Sequence, residues 1–83
     1  MLDVACIGIL VADVLAKPVD VLPQKGRLET IDSIGLFTGG NAMTAALNLK
    51  KMGLASAVLG KVGRDAFGFF LESRLKEAGV DCR

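Results

Sequence analysis

The residues best suited to hold a ligand are an aspartate near the start of the chain and a glycine pair followed by asparagine. Asp13 follows a long apolar run, and a carboxylate there could accept hydrogen bonds from two hydroxyl groups of a polyol. Gly39-Gly40 stands directly before Asn41, where a helix is predicted to begin. Backbone without Cβ atoms lets a ligand approach closely, and the first amides of a helix have no internal partners. These features indicate a site for a small polar molecule.

Both features also have purely structural interpretations. Asp13 could cap the turn that follows it, and spacing alone does not separate this role from ligand binding. Gly39-Gly40-Asn41 could be a tight turn with Asn41 as an ordinary helix N-cap, which is the commoner use of such a sequence. The site hypothesis therefore depends on the two features acting together.

Several chemistries are excluded by residue type and spacing. The 83 residues contain no histidine, so Ser-His and Cys-His nucleophiles and His-ligated metals are excluded within the chain. Cys6 and Cys82 lack CxxC spacing, which indicates two idle thiols and a cytoplasmic location rather than a metal or redox site. Neither GxGxxG nor GxxxxGK[ST] occurs. The net charge of +1, with scattered basic residues, gives no sign of nucleic-acid binding.

The first half of the chain predicts a strand, a small appended sheet and a helix. The apolar run Val4–Ala12 is typical of a strand buried on both faces of a parallel sheet, and it is too short to cross a bilayer. Asp13 would then lie at the carboxyl edge of that strand, where open α/β sheets bind ligands. The β-prone pieces 27–31 and 34–38 could pair with each other. A helix is predicted from about Asn41 to Met52, ended by a left-handed glycine at position 53.

The second half repeats the alternation of strand and helix. A short strand is predicted at 55–59, and Asp65 is a plausible N-cap for a helix that Gly79 ends. We expect the three phenylalanines of this helix to pack in the core rather than to stack on a base; they are Phe67, Phe69 and Phe70. The final residues resemble an approach to a third strand that is not reached. This order of elements is typical of a parallel sheet with helical cover.

Taken together, these residues resemble the first part of the ribokinase-like, or PfkB, family of carbohydrate and nucleoside kinases. That family opens with an apolar strand ending in Asp, here Asp13, and continues through lid strands into a glycine-rich helix start, here Gly39-Gly40. Gly53 and Gly63 also fall where the family pattern places glycine. One departure is that the expected Asn falls on Thr44.

The resemblance implies an α/β fold of the ribokinase-like, Rossmann type, with residues 1–83 forming the N-terminal part and a small β lid inserted at about 14–38. It also implies that Asp13 binds substrate hydroxyls, that the backbone of Gly39 and Gly40 admits the sugar, and that Asn41 and Thr44 supply polar contacts. In relatives the lid strands also pair between subunits, so we expect a homo-oligomer, through those strands or an exposed sheet edge.

In the family, the catalytic base and the ATP pocket lie far downstream of the segment that this chain resembles. We therefore expect ATP and Mg²⁺ to serve a full-length parent kinase, and these residues alone to hold neither, to contain no catalytic residue or metal site and to be inactive. Two alternatives are a sugar-binding sensor without catalysis and a generic Rossmann-like nucleotide-binding module. The phosphorylated alcohol could be a pentose, a hexose, a keto-deoxy sugar acid or a nucleoside.

Overall fold

The computed structural model describes residues 1–82, which form an α/β unit with a projecting two-stranded ribbon. This confirms the predicted fold class. The elements in chain order are the strands β1 Val4–Ile7, β2 Val11–Lys17 and β3 Ser33–Gly39, the helix α1 Asn41–Lys51, the strand β4 Ser56–Leu59, the helix α2 Ala66–Ala78 and the strand β5 Asp81–Cys82.

A parallel sheet of three strands, in the order β1-β4-β5, forms the centre of the unit. Its register aligns Cys6 with Val58 and Val58 with Cys82, so these three side chains share one face. Both helices contribute to the core on that face; its buried members are Met43, Ala46, Val58, Leu71, Leu75 and Val80. On the other face Ile7 at the edge of the sheet is 78% exposed, whereas Ala57 in the central strand is fully buried.

Helix α1 begins and ends at glycines. Gly40 precedes its first residue, Asn41, and Gly53 follows its C-cap with φ 93°, a left-handed conformation that glycine adopts easily. The helix is tied to the sheet by the Ser56 hydroxyl, which donates to the Ala46 carbonyl oxygen at 2.9 Å and is fully buried. The predicted extent and glycine stop of α1 are confirmed.

Helix α2 has the predicted cap at each end. The Asp65 carboxylate accepts a hydrogen bond from the Gly68 amide at 2.8 Å, and Gly79 closes the helix in the left-handed region with φ 79°. Leu71 and Leu75 are buried on its core stripe. The expectation that the phenylalanines pack in the core was wrong for Phe67 and Phe69, which are 50% and 60% exposed. Phe69 lies off the buried stripe because neighbouring helical residues are rotated by about 100°.

The opening strand is shorter than predicted, and Asp13 does not lie at its tip. Strand β1 ends at Ile7, and the chain then leaves the parallel sheet and enters β2, which contains Asp13. The apolar run continues past Ile7 because Leu10 and Ala12 pack against the core from outside the sheet. A run of apolar residues alone does not reveal such a change of sheet.

The ribbon is an antiparallel pair of β2 and β3, which we call the lid. The predicted pairing of 27–31 with 34–38 was wrong, because β3 pairs with β2 and 27–31 forms no strand. The sequence did not reveal β2, which takes its first two residues from the end of the apolar run. At the other end of the chain, Asp81–Cys82 pairs with β4, so the third strand of the parallel sheet does begin within the described residues. No helix in residues 1–82 is both long and apolar enough to span a bilayer.

Candidate functional site

The lid places the Asp13 side chain over Gly39. In the β2–β3 register Asp13 is opposite Phe37, and Val11 is opposite Gly39, so all four residues share one face of the lid. A Cβ added to Gly39 would lie 2.5 Å from the Asp13 Oδ2 atom. The carboxylate therefore occupies the space that any other residue at position 39 would fill. Asp13 and Gly39 therefore come together because they lie on the paired strands β2 and β3, and not because Asp13 lies at the end of β1.

Gly40 turns the chain from β3 into α1 with a backbone that only glycine adopts readily. Its φ of 88° and ψ of 149° are unfavourable for residues with a Cβ. A Cβ at this position would also lie 2.5 Å from the Ile9 carbonyl oxygen and 3.2 Å from the Leu10 Cα. Gly40 is therefore required by the fold, whatever else it does.

We call the junction between β3 and α1, at Gly39-Gly40, the corner. The first turn of α1 leaves polar groups free there. The Thr44 amide donates to the Gly40 carbonyl at 3.0 Å, so the amides of residues 41–43 precede the first bond of the helix. The alternative in which Asn41 is the N-cap is wrong, because Asn41 is the first helical residue and no side chain caps α1. Asn41 and Thr44 are both exposed and lie one turn apart.

The Asp13 carboxylate is half-buried and has no protein partner within the described residues. Among residues 1–82 it takes part in no hydrogen bond or ion pair. Asp3 and Asp65, in contrast, each accept a backbone amide at 2.8 Å. Because Asp13 lies within an extended strand and accepts no bond from a turn, the structure does not support its interpretation as a turn cap.

The corner thus combines acceptors and donors next to accessible backbone. Asp13 and Gly39 are in direct contact, and Gly40, Asn41 and Thr44 follow at the start of α1. A hydroxyl group both donates and accepts, so a molecule with several hydroxyls could bond to the carboxylate and to free amides together. The arrangement suits recognition of a small molecule.

Phe37 is a candidate residue that the sequence reasoning missed. It is 52% exposed and its ring leans over Gly35, with Cε2 2.7 Å from the position of an added Cβ. The signal was present in the alternation Gly35-x-Phe37-x-Gly39, which places one aromatic ring between two bare positions on one face of a strand.

The second glycine-rich corner has a structural explanation. Gly68 lies against the Gly63 carbonyl so closely that a Cβ would collide with it, and Asp65 caps the helix between them. The spacing Gly63-x-Asp65-x-x-Gly68 is therefore that of a tight helix start.

The two cysteines, Cys6 and Cys82, are free thiols of intermediate burial. Burial raises the pKa of the Cys82 thiol, although the nearby Lys76 opposes this, so a reactive thiolate is disfavoured. Cys6 and Cys82 lie on either side of β4, about two strand spacings apart, which is too far for a disulfide. Residues 1–82 contain no group of three or more potential metal ligands.

The fold is an α/β unit with an antiparallel lid, and the corner between the lid and α1 has the polar groups that a small-molecule site would need. Comparison with known proteins gives this class a family: the pfkB family of carbohydrate kinases matches over residues 1–83, and the chain belongs to it.

Individual relatives agree with this assignment. A relative from Pyrococcus horikoshii, provisionally named a sugar kinase, is 29% identical over 80 residues, covering 96% of this chain and 24% of its own length. The crystal structure of a fructokinase from Xylella fastidiosa is 32% identical with a TM-score of 0.76, over 95% of this chain and 22% of the other. A ribokinase from Arabidopsis thaliana, solved with ribose and ATP, has the same fold, with a TM-score of 0.82 at 23% identity. The match covers 93% of this chain and 25% of the ribokinase. The chain spans about a quarter of the length of these proteins.

Proposed function

We propose that this chain forms the substrate-binding part of an ATP-dependent sugar kinase that phosphorylates a hydroxyl group. The observation that carries the proposal is the Asp13 carboxylate, which lies over Gly39 and has no hydrogen-bond or ion-pair partner among residues 1–82. A carboxylate in that position accepts two hydroxyl hydrogen bonds, while the bare glycine backbone leaves room for the sugar ring. Membership of a carbohydrate kinase family supports a sugar as the ligand.

In this proposal Asn41 and Thr44 contact the sugar from the first turn of α1. Their side chains are exposed, and neither caps the helix. The free amides of that turn add donors for the oxygen atoms of the ligand. The lid then covers the bound sugar and keeps water away from the transfer, which must compete with hydrolysis of ATP.

The transfer step itself is assigned to other parts of a complete kinase. Residues 1–82 offer neither a phosphate-binding loop nor a carboxylate cluster that suits Mg²⁺. Phosphoryl transfer depends on stabilising charge at the phosphate, so a sugar site alone accelerates it little. We expect the 83 residues by themselves to bind no ATP and to be inactive.

We also propose that the lid face opposite Asp13 contacts a second copy of the chain. That face carries Val14, Ile34 and Leu36, which are 51%, 67% and 36% exposed. These side chains border an apolar groove together with Phe67. Exposed apolar strands of this kind favour association.

The kinase proposal is tested by ADP release from the product of the complete open reading frame, across a panel of sugars and nucleosides. Asp13→Asn should lower kcat/KM for the best substrate about 10- to 150-fold, as expected for a lost hydrogen bond to a charged group. Asp32→Asn is the matched control, because Asp32 is an exposed carboxylate directly before β3, at the far end of the lid from the corner. Full activity of Asp13→Asn, or no polyol that raises ADP release above background, would refute the proposal.

A further inference from the structure

We propose that Phe37 selects the substrate, by stacking on an uncharged ring face of a ligand whose hydroxyls are held by Asp13. This inference rests on the proposed function and narrows its substrate class to neutral ring-form sugars and nucleosides. Sugar acids are disfavoured.

The first step of the argument is that Phe37 and Asp13 form a facing pair. They are directly opposite in the lid register, so their Cβ atoms are separated by about 5 Å on the same face. Any ligand that Asp13 holds on this face therefore lies within reach of the phenyl ring. Phe37 is half-exposed and its ring is free to make such a contact.

The second step is that the two side chains lean apart. The Asp13 carboxylate leans towards Gly39, and the Phe37 ring leans towards Gly35 at the other end of β3. Glycine at position 39 leaves space for the Asp13 carboxylate, because a Cβ there would meet Oδ2. Glycine at position 35 leaves space for the Phe37 ring in the same way. The carboxylate and the ring therefore lie towards opposite ends of β3 on the same face of the lid.

The third step is the charge of this face. Beyond Phe37 the pair Leu15 and Gly35 adds apolar surface, and the first cation along the strand is Lys17, about 13 Å from Asp13 along the backbone. Lys61 borders a groove that Val11 and Ala12, the first two residues of β2, also line. An anionic ligand on the Asp13 face would meet the like charge of that carboxylate.

An uncharged ring face is the common requirement, and it occurs on a sugar ring and on a nucleobase. A sugar ring would present C–H groups to the phenyl face, whereas a nucleoside would place its ribose at Asp13 and its base on Phe37. The affinities for ribose, fructose and adenosine distinguish contact of Phe37 with a sugar ring from contact with a nucleobase. Glucose and glucuronate, which differ at one carbon, isolate the effect of charge.

The test measures the affinities of these five probes by calorimetry for the product of the complete open reading frame and for Phe37→Ala and Phe37→Trp. Phe37→Ala should weaken the best neutral probe roughly 5-fold if it is a sugar and up to about 100-fold if it is adenosine. Phe37→Trp should keep most of the affinity, and glucuronate should bind at least about 10-fold more weakly than glucose. Phe69→Ala, an exposed phenylalanine on α2, is the control that should change nothing.

The outcomes separate this inference from the function on which it rests. Loss of binding in Asp13→Asn with unchanged binding in Phe37→Ala would overturn the role of Phe37 and leave the sugar site standing. Glucuronate binding as tightly as glucose would overturn the charge selection. No binding of any probe to the unmodified protein would overturn both proposals. Thermal unfolding of each variant confirms that a loss of affinity does not reflect a loss of fold.

Discussion

At the scale of single residues, two adjacent glycines have different reasons to be glycine. A Cβ at Gly39 would meet the end of the Asp13 side chain, which can rotate away. A Cβ at Gly40 would meet the backbone of Ile9, which cannot move without disturbing the fold, and its φ of 88° adds strain. Glycine at position 39 therefore leaves room for the Asp13 carboxylate, whereas glycine at position 40 allows the chain to turn from β3 into α1.

This difference gives a prediction with its own matched control. Gly39→Ala should lower the free energy of unfolding by less than about 1 kcal/mol, yet weaken sugar binding because the Asp13 carboxylate is displaced. Gly40→Ala should lower the free energy of unfolding by about 1–3 kcal/mol. Urea unfolding and calorimetric titration measure the two effects. Equal destabilisation by both substitutions would contradict this assignment of roles.

The sequence predicted the members of the corner but not how the corner is built. Asp13 and Gly39-Gly40 were proposed as partners from residue type, and the structure places Asp13 against Gly39. The location of Asp13 on the lid was missed because no local signal marks where an apolar run changes sheets. Phe37 was missed because its importance depends on which residue lies opposite in β2, and strand register is a property of two segments.

At the scale of elements, helix ends were the most predictable features. A capping aspartate and a terminal glycine act within one helical turn, so Asp65 and Gly79 could be read from the sequence directly. The strands were less predictable because pairing depends on distant partners: β-prone residues at 27–31 remain unpaired since β3 already pairs with β2.

The cap of α2 provides a prediction about stability. Asp65→Ala removes the acceptor of the Gly68 amide and should lower the free energy of unfolding by about 0.5–2 kcal/mol. Asp65→Ser should retain most of the stability, since serine is also a good N-cap. Chemical denaturation of the three proteins measures the differences. The role of the cap is contradicted if alanine and serine destabilise the protein equally.

At the scale of the whole molecule, the described fold exposes more surface than a compact domain of its size. Its radius of gyration is 16.0 Å, whereas a compact chain of this length has about 12 Å. Its accessible surface of 6300 Å² exceeds the roughly 4700 Å² expected for 8.7 kDa. The projecting lid contributes to the excess, and its exposed apolar face is the surface proposed above to contact a second copy.

Self-association gives a prediction at this scale. Light scattering after size-exclusion chromatography should show a dimer or larger species at micromolar concentration, and Ile34→Lys should shift it towards monomer because a charge then replaces an exposed apolar contact. Leu28→Lys is a control, because Leu28 is 96% exposed but lies in the loop beyond the lid strands. A well-folded monomer for the unmodified protein would contradict the proposal.

The central claim is that Asp13 and the glycine corner together grip a hydroxyl-rich ligand. The most direct measurement is a crystal structure of the product of the complete open reading frame with its best-binding neutral sugar. We predict ligand hydroxyls about 2.5–3.2 Å from the Asp13 carboxylate oxygens, with the ring next to the backbone of Gly39 and Gly40. A sugar bound elsewhere, with Asp13 paired to another protein group, would contradict the account.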